Sequence, residues 1–123
     1  MTWIAVGLGG ALGAMARYGL NSWVLRTTPL SGFPAGIFLI NVIGSGTIGM
    51  IAGLMTSGRV HLSDEARAFV MVGMLGGFTT FSSFSLDSLE LLRTGHPTAA
   101  VLNVVGQVGL SLAAAAIGYR LAS

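Results

Sequence analysis

The chain contains no cysteine, and only ten of its 123 residues carry a formal charge, six basic and four acidic. The first absence removes disulfides, thiolates and metal–thiolate sites. The second removes a water-soluble surface, for which a domain of this size draws about a quarter of its residues from Asp, Glu, Lys and Arg. No soluble portion is left to house nucleotide hydrolysis. The net charge of +2 points to no nucleic-acid partner, because the charges sit in loops and at helix ends. His61 and His96 fall in separate loops with no further ligand beside them, so no metal centre of side chains is expected. No nucleophile-elbow pattern surrounds any serine. The glycine-rich start Gly7-Leu8-Gly9-Gly10 follows no strand and does not match a dinucleotide fingerprint. The opening segment lacks the basic leader and polar cleavage stretch of a signal peptide. Enzyme classes are thereby left without candidate residues.

What is present is long apolar sequence. No charge occurs from Met1 to Ala16, from Phe33 to Gly58, from Ala68 to Leu86, or from Pro97 to Tyr119. A helix needs about 20 apolar residues to cross the roughly 30 Å hydrocarbon layer. Only helices and closed barrels satisfy their backbone groups there, and no period-2 alternation suggests strands. The sequence therefore predicts an all-α membrane protein, a single domain over 1–123. Its four transmembrane helices are placed at Thr2 to Leu25, Pro34 to Met55, Asp64 to Arg93 and Pro97 to Leu121. Turn signals separate them: Thr27-Thr28-Pro29 with Ser31-Gly32, Ser57-Gly58, and Thr94-Gly95-His96-Pro97. Ser63 suits a helix N-cap with Asp64 and Glu65 in the first turn, and Pro97 suits a first helical position.

Four spans put both termini on one side, with Arg59, Arg67 and Arg120. Arg26 and Arg93 lie on the other, with Arg17 leaning the same way from within helix 1. Such a weak bias leaves two readings of the positive-inside rule: a modest excess that suffices, or copies inserting both ways and pairing antiparallel. Four helices fill their own centre with side chains, so transport would require an oligomer. Gly9-Gly13, Gly10-Ala14 and Ser45-Gly49-Gly53, each at spacing four, read as close helix packing.

Helix 3 carries the most informative run, Gly73-Met74-Leu75-Gly76-Gly77-Phe78-Thr79-Thr80-Phe81-Ser82-Ser83-Phe84-Ser85. Paired glycines followed by paired threonines are poor helix formers, so a break is expected near Gly76 to Thr80. Breaks at membrane depth occur where freed carbonyls are buried or hold an ion. Phe78, Phe81 and Phe84 recur at spacing three; packing explains such a row, and the positive edges of the rings also suit an anion. In helix 4, Asn103, Gln107 and Ser111 share one face, and Asn41 is the one amide of helix 2. Taken together these donors, with no carboxylate at their centre, suggest a track for a small anion. Arg17 either snorkels to the interface or sits at a vestibule. Glu90 and Arg93 have good pairing geometry and read as structural.

The chain resembles the Fluc-type fluoride channels, the CrcB family, over nearly its whole length. The resemblance rests on Gly9-Gly10-Ala11-Leu12-Gly13-Ala14 with Arg17-Tyr18, on Asn41 with Gly44, and above all on the run from Gly76 to Ser85. It implies an antiparallel, dual-topology homodimer in the inner (plasma) membrane of a prokaryote, with two parallel pores for passive fluoride efflux. It also implies ring edges of Phe81 and Phe84 and a hydrogen bond from Asn41 toward fluoride, with Ser82, Ser85, Asn103, Gln107 and Ser111 along the path and Arg17 at the vestibule. A structural sodium ion (Na+) would be held between subunits by the carbonyls of Gly76 and Thr79. Ile37 departs from the pattern, standing where a threonine is common. Two rivals are weaker. A proton-coupled small multidrug-type exporter needs a membrane carboxylate in helix 1, where this chain has Arg17. A non-transporting accessory subunit leaves the aligned polar residues unexplained.

Overall fold

The computed structural model describes every residue except Pro29, Leu30 and Ser31, so those parts of the first loop's turn signal lie outside the described residues. Helix α1 spans Thr2–Thr27 and α2 spans Ala35–Thr56. The third rod divides in two. Its first part, α3, covers residues 64–78: an α-helical turn Asp64–Arg67, a wider π-helical stretch Ala68–Leu75, and a closing turn Gly76–Phe78. Its second part, α4, spans Phe81–Arg93, and α5 spans Pro97–Ala122. There is no strand among the described residues. Three rods, namely α2, the stretch Asp64–Arg93 and α5, are long and apolar enough to cross a membrane. The fourth, α1, has 26 residues, a length of about 39 Å, though glycines and Arg17 dilute its apolar character.

Local chemistry fixes the ends. Ser63 Oγ accepts from the amide of Ala66 at 3.1 Å and caps α3, with Asp64 and Glu65 in the first turn. Pro97 opens α5. Both α2 and α4 finish in Schellman motifs. Arg59 N–H reaches Leu54 C=O and Gly58 N–H reaches Met55 C=O, while His96 N–H reaches Leu91 C=O and Gly95 N–H reaches Leu92 C=O. Such ends require a left-handed residue, and Gly58 and Gly95 supply φ of 75° and 82°.

Glycines set the packing of two parallel helix pairs. On α1, Gly9 and Gly13 lie against the backbone of Phe69, Met74 and Phe78, and Gly77 lies against Gly10, where an added Cβ would come 2.6 Å from the carbonyl oxygen. On α2, Gly49 meets Ala115 and Gly53 meets Tyr119, while Gly118 of α5 packs on Gly46. The rows at spacing four thus serve close backbone approach, as small residues do between membrane helices. A small core of Ile37, Ile40 and Phe84, with Leu20 and Phe78 against it, ties the pairs together. Outside, Trp3, Leu8, Leu12, Val101, Leu112 and Leu121 are exposed, an apolar surface suited to lipid.

Candidate functional site

The site grows from the two residues between α3 and α4. Thr79 has φ −82° and ψ 157°, and Thr80 has φ −154° and ψ 118°, both extended. β-Branched threonine tolerates this conformation well. The amide of Thr80 donates to Asn41 Oδ1 at 2.9 Å, and Asn41 Nδ2 donates back to the Thr80 carbonyl at 3.1 Å. The Asn41 side chain therefore pairs with the Thr80 backbone as a neighbouring strand would. Thr80 Oγ1 then caps α4 by accepting from Ser83 N–H at 3.1 Å. Gly76 and Gly77, the weakest helix formers, remain helical. Gly77 is there for its contact with α1, and the extended pair falls where Asn41 offers replacement bonds.

These bonds have a consequence for the carbonyls. In a continuous helix Gly76 C=O would accept from Thr80 N–H and Thr79 C=O from Ser83 N–H. Both amides are diverted, to Asn41 and to the Thr80 hydroxyl. The carbonyls of Gly76 and Thr79 are two of the four, Gly76 to Thr79, that lose their helical partners at the break, hard neutral oxygens of a kind that suits an alkali cation.

Beside the break lies a groove of about 320 Å³. Its walls come from α2 (Asn41, Gly44, Ser45, Ile48), α3 (Met71, Leu75, Gly76), the break itself with Phe81 and Phe84, and α5 (Gln107, Val108, Ser111). No charged residue lines it. Phe84 is buried, whereas Phe81 is 77% exposed at the rim; their ring centroids are 5.3 Å apart and the rings are tilted by 56°. Ser111 Oγ is buried with no hydrogen-bond partner. Buried hydroxyls are rarely left so, and an orphan of this kind invites a ligand.

The amides form one chain of side chains. Asn41 Nδ2 donates to Gln107 Oε1 at 2.7 Å, Gln107 Nε2 to Asn103 Oδ1 at 2.8 Å, and Asn103 Nδ2 to Ser88 Oγ at 3.0 Å. Both hydrogens of Asn41 Nδ2 are thereby committed, while Gln107 Nε2 keeps one.

The structure brings Asn41, Gln107, Ser111, Phe81, Phe84, Gly76 and Thr79 of the sequence-predicted set to the groove. Others lie elsewhere. Asn103 is fully buried behind Gln107 and outside the lining. Ser82 and Ser85 are exposed and outside the lining, and the Ser85 hydroxyl donates to Phe81 C=O at 2.9 Å. Ser85, four residues after Phe81, shares that ring's exposed face, whereas Ser82 points elsewhere and its hydroxyl meets Thr80 Oγ1 at 3.2 Å. Arg17 is half-buried on α1, away from the lining. Ile37 is buried in the core with Phe84, so its position is one of packing. Glu90 pairs with Arg93, exposed at the end of α4, where an ion pair adds little. Asp87 does not join that pair, and its Oδ2 is buried without a hydrogen bond. His96 Nδ1 meets the Thr94 hydroxyl at 3.0 Å, and the described residues hold no cluster of metal-ligating side chains. The sequence marks Ser45 only as a packing residue and Thr80 only as part of the break, and it leaves Ser88 unmarked. Only Thr80 gave a signal of its role, as a threonine three residues before Ser83 at a helix start.

An all-helical chain that spans the membrane several times, with an interrupted third rod and at the interruption an uncharged, mostly apolar groove edged by a few amides and hydroxyls, defines a class of small membrane transport proteins. The chain matches the family described as "CrcB-like protein, Camphor Resistance (CrcB)" over residues 4–119, and it belongs to that family. It is 46% identical over 119 residues to the "Fluoride-specific ion channel FluC" of Thermus thermophilus, covering 97% of this chain and 91% of the relative. Proteins of the same name from Paramagnetospirillum magneticum and Paracoccus denitrificans are 47% and 46% identical, covering 100% and 98% of this chain and 96% and 93% of theirs.

Proposed function

We propose that this protein is a fluoride-selective channel, not an enzyme, and that it lets fluoride leave the cell passively across the inner membrane. The observation that carries the reading is the groove beside Thr79 and Thr80. It offers the unpartnered Ser111 hydroxyl, the spare Nε2 hydrogen of Gln107 and two phenylalanine rings, with no carboxylate. A small hard anion exchanges water for hydroxyl and amide donors and for the positive edges of Phe81 and Phe84. The names of the relatives agree with this chemistry.

In this reading all four rods cross the bilayer, α1 included, and two copies pair antiparallel with one pore along each groove. The exposed Phe81 and the open side of the groove then face the second copy. Asn41 holds the interruption open and offers a hydrogen to the anion only when one of its present bonds is released. Arg17 draws fluoride to the vestibule. Gly76 and Thr79, with their freed carbonyls, hold a structural sodium ion between the subunits; that ion adds positive charge and cross-linking, and the transported species remains fluoride. Flux needs no energy source beyond the electrochemical gradient.

Replacing Phe81 or Phe84 with isoleucine keeps an apolar side chain and removes the ring edge. Fluoride efflux from liposomes, read with an electrode, is expected to fall by about two- to twelvefold for each variant while the dimer elutes unchanged, the factor to which ring interactions of about 0.5–1.5 kcal/mol correspond. Unchanged flux would count against the ring-edge role.

A further inference from the structure

Resting on the channel reading above, we propose that Asn103 and Ser88 are positioning residues. Neither lines the groove, and together they hold the Gln107 amide, whose Nε2 Asn103 anchors, in the orientation it presents to the groove.

The argument follows the donors. Thr80 N–H donates to Asn41, Asn41 to Gln107, Gln107 to Asn103, Asn103 to Ser88, and Ser88 Oγ to the carbonyl of Phe84 at 2.8 Å. All five bonds point the same way. The chain leaves the backbone at Thr80, passes through α2 and α5, and returns to the backbone at Phe84, one turn later. Its direction is forced at both ends by groups that cannot change role, since a backbone amide only donates and a carbonyl only accepts. Because the Ser88 hydrogen goes to Phe84, the Ser88 oxygen presents only lone pairs to Asn103. Asn103 must therefore turn its NH2 to Ser88 and its oxygen to Gln107. Gln107 must then give Asn103 a hydrogen and turn its oxygen to Asn41, and Asn41 is left with its own oxygen for Thr80.

Asn103, at 0% exposure, and Gln107, at 3%, have no water to compensate a wrong orientation. Bonds aligned in one sense also polarise each other. Loss of Asn103 leaves Gln107 held only through its oxygen, by Asn41 Nδ2, and takes away the acceptor that anchors its Nε2. The Nε2 hydrogens, one of them on the groove side, then lose their fixed aim, and the anion loses a donor held in place before it arrives. Asn103 and Ser88 act on selectivity through Gln107 without touching the anion.

The test compares fluoride and chloride efflux from liposomes holding wild-type protein, Asn103→Leu, Ser88→Ala and Ser88→Thr, each also run on a sizing column. Asn103→Leu keeps the number and branching of the side-chain heavy atoms and is expected to lower fluoride efflux by about tenfold or more, in line with the cost of a misplaced buried hydrogen bond, and to narrow the fluoride-to-chloride ratio. The serine variants separate the relay from packing. Threonine keeps the hydroxyl but adds a methyl group at a buried position, whereas alanine removes the hydroxyl and adds nothing. Efflux and selectivity of Ser88→Thr above those of Ser88→Ala support the relay. Ser88→Ala equal to or better than Ser88→Thr overturns it, as does a fluoride-to-chloride ratio unchanged in Asn103→Leu. A wild-type protein that passes no fluoride refutes the channel reading itself, a result distinct from either of these.

Discussion

Ser111 and Asn41 show how differently two polar residues beside one groove are employed. Ser111 Oγ is buried and unpartnered, whereas both Nδ2 hydrogens of Asn41 are committed to Thr80 and Gln107. Removing each should therefore fail in a different way. Ser111→Ala deletes an orphan, so fluoride flux should fall while the thermal midpoint holds or rises, because an unsatisfied buried group costs stability. Asn41→Leu strips the Thr80 amide and carbonyl of their partners. It should destabilise the protein by about 1–3 kcal/mol per orphaned group as well as stop flux, checked by melting in detergent beside the efflux assay. Equal stability losses for the two variants would contradict the assignment. The sequence showed both residues as polar members of apolar spans. It could not show which was satisfied, because the partners of Asn41 lie 39 and 66 residues away. The same holds for Asn103: spacing four places it on the face of Gln107 and Ser111, but only packing against Ser88 decides that it turns inward.

The elements were more legible than the residues. Uncharged stretches located four rods to within two residues at each end, and Ser63 and Pro97 marked helix starts by mechanisms local to the chain. The glycine rows were legible as packing, and at this scale they make a prediction. Gly49→Val would drive a side chain into the backbone of Ala115, which cannot yield as a side chain does. Overpacking of this sort costs on the order of 1–3 kcal/mol or more, so loss of monodisperse protein on a sizing column is expected. The same change at Gly109, which has nothing within 4 Å, should be tolerated. Within the third rod, the sequence spread the weakness over the glycines and threonines from Gly76 to Thr80 without separating them. The extended residues are Thr79 and Thr80, because an irregular backbone settles where other groups replace its lost bonds, and Asn41 and the Thr80 hydroxyl do so there. The π-helical stretch Ala68–Leu75 upstream left no sign in the sequence.

At the scale of the whole molecule, the groove is open on one side and Phe81 stands exposed beside it, so the account requires a second copy to complete the path. The sodium proposal belongs to this scale. An ion held by freed carbonyls of Gly76 and Thr79 binds only the folded dimer, so the thermal midpoint should rise as sodium replaces a bulky organic cation at constant ionic strength. No shift would remove the ion from the account. The near balance of arginines on the two sides makes a further claim, that copies insert in both orientations. Adding two lysines to the loop that contains Arg59 should bias insertion toward one orientation and lower flux, and co-expression with an oppositely biased variant should restore it.

The central claim is that the uncharged groove at Thr79 and Thr80 passes fluoride and little else. Its most direct test is efflux from liposomes loaded with equal fluoride and chloride and containing the purified wild-type protein, each ion followed by its own electrode. The account predicts rapid fluoride release with chloride retained. Equal release of both ions, or none from well-folded dimer, would contradict it.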